Sequence, residues 1–164
     1  MRKPRLSLKR NPASGYFWSA SWNCSKNCAE SSCCARAIRK RAAASANCVV
    51  VSGKRAGEQR WAAAVILATT RADVNGVVRR RLDVRKVSFA AMDDAVTQTG
   101  MEYGGITPVG LPDGWPIMID AAVAAAGAVV IGSGIRGSKL VLDGAALAEL
   151  PGAVVIEGLA APVG

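Results

Sequence analysis

From Asn47 onward, apolar residues fall into short runs separated by glycine, proline and charge, a pattern that predicts interleaved strands and short helices. "CVVVS" (48–52) reads as an apolar strand and "KRAGEQR" (54–60) as a polar loop. "WAAAVILATT" (61–70) is long, apolar and partly β-branched, which suits a buried strand. Asp73 precedes "VNGVVRRRL", where its carboxylate is placed to accept the free N–H groups of a helix start. "RKVSF" (85–89) predicts a strand, and "MDDAVTQTG" (92–100) a helix stopped by Gly100. After a glycine- and proline-rich loop come strand "IMI" (117–119), a helix opening at Asp120 in "DAAVAAAG", and strand "AVVIG" (128–132). Helix "GAALAEL" (144–150) and a last strand, "AVVIEG" (153–158), close the series. The expected fold is α/β in the α+β sense: a mixed central β-sheet, partly barrel-like, with short helices packed around it.

One stretch invites a different reading. "AVVIGSGIRGSKLVL" (128–142) contains Gly132-x-Gly134-x-x-Gly137 behind a β-branched run, the spacing of a dinucleotide-binding turn. That turn works only when the third glycine opens a helix whose N-terminus faces the pyrophosphate. Here Gly137 is succeeded by "SKLVL", in which Leu140 and Leu142 alternate with Lys139 and Val141. Strand, glycine turn, strand is the better reading, and no nucleotide cofactor is expected.

Composition changes the picture mainly for residues 1–46, which show little periodicity. They carry ten basic residues and one acid, whereas 47–164 carries eleven of each, so the whole formal charge of +9 lies in the first segment. Tyr16, Phe17, Trp18 and Trp22 stand among these charges, the mixture that suits single-stranded nucleic acid. A solvated basic tail is the plainer alternative. Only "ARAIRKRAAASA" (35–46) reads as helical. Cys24, Cys28, Cys33 and Cys34 lack the paired C-x2-C spacing of structural zinc sites, and the chain has no histidine, so no metal is expected. The basic N-terminus has no apolar signal core, and the longest apolar run, 117–132, is too short for a bilayer and contains Asp120. A cytoplasmic protein without a membrane partner is the expectation.

"YGGITPVGLPDG" (103–114) is the most informative loop. Its glycines leave the backbone open to close approach, and its prolines stiffen it. In order and spacing, "VRKVSFA", "TQTGMEYGGITPVGLP", "PIMIDAAV", "VVIGSGIRGSKLVL" and "AALAELPGA" resemble the YbaK/EbsC family of aminoacyl-tRNA deacylases, related to the editing domain of bacterial prolyl-tRNA synthetases. The resemblance is specific over 84–157 and extends more weakly back to Ser45, so residues 45–164 are expected to form the editing domain.

The resemblance implies hydrolysis of the ester that joins an amino acid to the terminal adenosine of a mischarged tRNA, with Cys- or Ala-tRNA(Pro) as the expected substrate. Water would attack, the substrate's free ribose hydroxyl would assist, and backbone donors would hold the oxyanion, with no cofactor. The implied partners are the aminoacylated 3′ end of tRNA and prolyl-tRNA synthetase. The family's Gly-x-x-x-Pro loop falls on Gly104, Gly105, Ile106, Thr107 and Pro108, and its glycine-rich strand end on Gly132, Ser133 and Gly134. Gly104, Gly105 and Asn47 are the expected catalytic positions. The others, with Thr69 and Arg71 at the end of the long strand, are the expected substrate contacts.

Two departures stand out. The family typically carries a lysine where Asn47 stands, and asparagine donates a hydrogen bond without charge. Lys54 and Arg71 are the cations that could substitute for it, while Cys48 beside Asn47 is read as a buried structural thiol with no histidine to activate it. Arg136 and Lys139 flank the glycine turn and Arg79–Arg81 forms a basic face; each is open to a phosphate contact or to plain solvation. Residues 1–44 do not resemble the family's opening helices and strand, which points to a replaced N-terminus or a reading-frame error upstream of Ser45. A non-catalytic tRNA- or synthetase-binding module of the same fold, and an unrelated nucleic-acid-binding protein led by the basic arm, are the alternatives to the enzyme.

Overall fold

The computed structural model describes residues 7–11, 15–19 and 45–163. The chain divides into two units, Met1–Ala37 and Ile38–Gly164. In the first, β1 (Ser7–Asn11) and β2 (Gly15–Ser19) pair antiparallel, Ser7 opposite Ser19 and Asn11 opposite Gly15. The irregular pattern of residues 1–46 did not predict these strands. The expected helix over 35–46 lies outside the described residues except at its end, where Ala46 begins a strand. The four clustered cysteines also lie outside them.

The second unit is built on a long hairpin. β3 (Ala46–Arg55) and β4 (Glu58–Leu67) pair antiparallel along their whole length, from Ala46 opposite Leu67 to Arg55 opposite Glu58. Between them Ala56 (φ 50°) and Gly57 (φ 88°) make a two-residue turn with both angles positive, the geometry that matches strand twist. The stretch 54–60 is therefore strand, turn and strand, not a polar loop: ladder hydrogen bonds carry the pairing into solvent, where polarity costs nothing.

β6 (Lys86–Phe89) pairs antiparallel with β3, while β7 (Ile117–Asp120) runs parallel to β4 and β10 (Ala153–Ile156) parallel to β7. The sheet order is β10-β7-β4-β3-β6. It is a five-stranded mixed sheet that stays open; β6 and β10 are separate edges, so the expected barrel-like character ends short of closure.

Alternation along the central strands feeds two cores. Ala62, Ala64 and Ile66 of β4, with Val51 of β3 and Met118 of β7, face Val74, Val78, Leu82 and Leu159. Val65 of β4 and Ile117 and Ile119 of β7 face Val123, Val129, Ile131 and Leu147. Both faces of β4 are covered, which is why 62–65 has no exposed surface and reads as an unbroken apolar run.

On the first face, Asp73 accepts from the N–H groups of Gly76 (2.9 Å) and Val77 (3.0 Å), opening a π-helical turn (Val74–Val78) that continues as α1 (Arg79–Leu82). α2 (Met92–Thr99) ends at Gly100 in the left-handed region (φ 66°), as its sequence predicts. On the second face lie α3 (Ala121–Ala124) and α4 (Gly144–Leu147), each a single turn capped by an aspartate, Asp120 and Asp143. The glycine-rich stretch is the predicted hairpin: β8 (Ala128–Gly132) and β9 (Lys139–Asp143) pair antiparallel, Gly132 opposite Lys139. A further ribbon, unforeseen in the sequence pattern, joins β5 (Thr70–Ala72) to β11 (Ala160–Pro162). No helix among the described residues is long and apolar enough to cross a membrane.

Candidate active site

The opening of β3 lies against the β8–β9 hairpin through a parallel bridge between Ser45 and Val130. That bridge, the end of β6, the start of α2 and the loop after α2 enclose a cavity of about 450 Å³. Asn47 and Cys48 of β3, Gly104 and Ile106 of the loop, and Gly132 and Lys139 of the hairpin contribute to its wall. Its rim is apolar and open: Phe89, Met92 and Tyr103 are 52%, 53% and 60% exposed.

The loop and hairpin are stitched together by main chain. Glu102 N–H donates to the Gly134 carbonyl (2.9 Å), Gly134 N–H to the Gly105 carbonyl (2.8 Å), and Gly105 N–H to the Glu102 carbonyl (2.9 Å). The Glu102 carboxylate also accepts from Arg136 N–H at 2.7 Å. This seam explains two glycines. A Cβ at Gly105 would stand 2.4 Å from the Ile135 carbonyl carbon, and one at Gly132 would stand 2.3 Å from the Gly105 oxygen. Both residues are glycine because another backbone occupies the space a side chain needs.

Gly104 differs. It has φ 82°, reaches the cavity wall, and its carbonyl accepts from Lys139 Nζ at 3.0 Å. Among the described residues, neither its N–H nor that of Ile106 has a hydrogen-bond partner. Two unclaimed donors thus belong to the loop that walls the cavity.

Of the residues expected from sequence, the structure brings Asn47, Gly104, Ile106 and Gly132 together at this cavity. Gly105 sits just behind it in the seam, and Thr107 and Pro108 are buried beneath the loop, Thr107 N–H donating to Met101 Sδ at 3.4 Å. Ser133 and Gly134 occupy the hairpin turn, where Ser133 Oγ meets Ser138 Oγ. Thr69 and Arg71 lie elsewhere: the Thr69 carbonyl accepts from Val163 N–H at 3.3 Å, and Arg71 stands opposite Ala161 in the β5–β11 ribbon. Strand ends do collect ligand contacts, but here the segment pairs with β11, and both exposed residues lie off the cavity lining.

Sequence reasoning missed Phe89, Met92 and Tyr103 as wall residues. Their one signal was large apolar side chains at element boundaries, a weak one because such residues are common on any surface. Cys48 is half-buried on the wall, and burial pushes its thiol up to about 12. A thiol held protonated in this way is no nucleophile at neutral pH. Among the described residues, the wall contains no carboxylate or histidine, and Lys139 is its one charged side chain.

Comparison with known proteins bears on the family and the fold. The sequence profile of the aminoacyl-tRNA editing domain matches residues 25–150. The hypothetical protein APE2540 superposes with a TM-score of 0.65 at 25% identity, over 79% of this chain and 83% of that one. A candidate trans-editing enzyme for prolyl tRNA synthetase superposes with a TM-score of 0.64 at 21% identity, over 76% of this chain and 75% of that one. No functionally curated protein matches this chain by sequence.

Proposed function

The chain belongs to the aminoacyl-tRNA editing domain family, and from that premise we propose that it is a hydrolase that deacylates mischarged tRNA in the cytoplasm, with Cys- or Ala-tRNA(Pro) as substrate. The observation that carries the reading is the cavity wall, which offers unclaimed backbone donors at Gly104 and Ile106 and, among the described residues, no carboxylate or histidine to activate a nucleophile.

An aminoacyl ester is already activated, so its hydrolysis requires placement more than covalent assistance. Water adds to the carbonyl carbon, and the carbonyl oxygen takes up negative charge. Gly104 and Ile106 N–H groups are suited to receive that charge. The ester bond then breaks, the ribose oxygen leaves with the proton that water surrendered, and the products are a free amino acid and uncharged tRNA. In this reading the substrate's neighbouring ribose hydroxyl relays that proton, as the family resemblance implies. Asn47 supplies a neutral amide that can orient the aminoacyl end. Prolyl-tRNA synthetase is the natural source of the mischarged substrate.

A deacylation time course tests the reading, with Cys-, Ala- and Pro-charged tRNA(Pro) offered separately to the protein and to Gly104→Ala. A Cβ there meets only Arg136 Cγ, at 3.8 Å, but the positive φ is strained for alanine, so the loop's donors shift while its packing stays. The expected result is loss of one mischarged species, slowed on the order of 10- to 100-fold by the variant. If a folded sample binds tRNA yet hydrolyses none of the three, the non-catalytic binding module replaces the enzyme.

A further inference from the structure

Lys139 enters the cavity from β9, whereas Asn47 reaches it from β3. Its ammonium donates to the Gly104 carbonyl at 3.0 Å, which uses one of three N–H bonds and anchors the head at the loop. It has no acidic partner among the described residues, where the ion pairs are those of Arg55 and Arg60 with Asp83. Arg136, the other cation near the turn, does not line the cavity. The wall therefore carries one positive charge with no acidic partner and two donors to spare, solvent-exposed at the loop and so open to an anion.

We propose that Lys139 is the cavity's anion-binding residue and that it grips the phosphate of the terminal nucleotide, so that the substrate lies with its phosphate towards the hairpin and its aminoacyl group towards Asn47. The inference rests on the editing reading for the identity of the anion. An aminoacyl ester has no free carboxylate, so phosphates are the only anions at that end of the substrate. The α-ammonium group of the aminoacyl moiety is repelled by Lys139 and tolerated by the neutral amide of Asn47, which sets the same orientation independently. The open apolar rim of Phe89, Met92 and Tyr103 offers the base a surface to rest on.

The test compares adenosine 5′-monophosphate with adenosine as probes, by calorimetry, on wild type, Lys139→Gln and Lys139→Arg. Wild type is expected to bind the monophosphate about tenfold more tightly than adenosine at low salt, with the advantage shrinking as salt is added. Lys139→Gln is expected to equalise the two probes, and Lys139→Arg to keep the preference. If Lys139 only held the Gly104 loop in place, the glutamine variant would weaken both probes alike and leave their ratio unchanged, which overturns the proposal. Equal or undetectable binding of both probes by wild type overturns it too. The two readings fail separately. A Lys139-dependent preference for the monophosphate without hydrolysis of any charged tRNA removes the enzyme and keeps the anion site. Hydrolysis with unchanged KM in Lys139→Gln removes the anion site and keeps the enzyme.

Discussion

Cys48 and Asp120 show how burial gives single residues opposite duties. Burial holds the Cys48 thiol protonated up to about 12, against 9.0 in an unfolded chain. Below pH 9 the thiol is neutral in both states; between 9 and about 12 only the unfolded chain ionises, so this residue's contribution to stability is lost as pH rises through that window. The stability advantage of wild type over Cys48→Ala should therefore shrink in denaturant titrations from pH 9 upward. In native protein at neutral pH, iodoacetamide should label the peptide containing Cys48 far more slowly than it labels the unfolded chain, and rapid labelling there would show that the thiol is not held protonated. Asp120 is buried and fully engaged: one oxygen accepts from Ala122 N–H and the other from Ala160 N–H, both at 2.8 Å. It caps α3 and also ties down the start of β11, forty residues along the chain. Asp120→Ala removes both bonds and leaves the half-buried Ala160 N–H without its acceptor, so thermal unfolding should show a loss of about 1–3 kcal/mol.

Among the elements, the β8–β9 hairpin and the loop after α2 behave as one part, because their backbones run too close for side chains between them. Gly132→Ala puts a Cβ within 2.4 Å of two carbonyl oxygens, those of Gly105 and Ile106. The seam must open, at a cost on the order of 1–3 kcal/mol, and hydrolysis should fall with it because Gly104 and Ile106 move. An unchanged melting temperature and rate in Gly132→Ala would show that the seam does not shape the cavity. Gly105 obeys the same logic, so its replacement tests the seam and not the chemistry, whereas Gly104 reports on the cavity itself. At the far end of the loop, Trp115 stacks on Trp61 with ring centroids 5.6 Å apart and planes within 4°, fastening the returning chain to the start of β4.

On the scale of the whole molecule, every cavity-lining residue lies between Ser45 and Lys139, and both hydrophobic clusters are drawn from the second unit. Ile38–Gly164 expressed alone should therefore unfold in one cooperative step and hydrolyse a short aminoacylated 3′-end substrate at the rate of the full chain. A truncated chain that fails to fold, or folds without activity, would assign residues 1–37 a part in the site. If the basic excess of the N-terminal segment contacts RNA, the full chain should bind full-length tRNA with a steeper salt dependence than Ile38–Gly164, and equal slopes would leave it a solvated tail.

Most elements were legible in the sequence because their signals are local. Alternation and β-branching marked β3, β4 and β8; Asp73, Asp120 and Gly100 marked helix ends through hydrogen bonds and φ angles set within four residues. The same local logic rejected a dinucleotide site, since the residues after Gly137 alternate as a strand. The site was legible only in part. Asn47, Gly104, Ile106 and Gly132 stood out by their place in a familiar order of motifs, but that order did not separate Gly104, which faces the cavity, from Gly105, which the Ile135 backbone displaces into the seam. Nor did it tell Lys139, on the wall, from Arg136 three residues earlier. The cavity forms where the openings of β3 and α2, the loop and the hairpin converge, and that convergence depends on parallel pairing and a single Ser45–Val130 bridge between segments far apart in the chain. Contacts of that range leave no periodicity in the sequence: neighbours determined which elements form, and only packing decided which of their residues share a cavity.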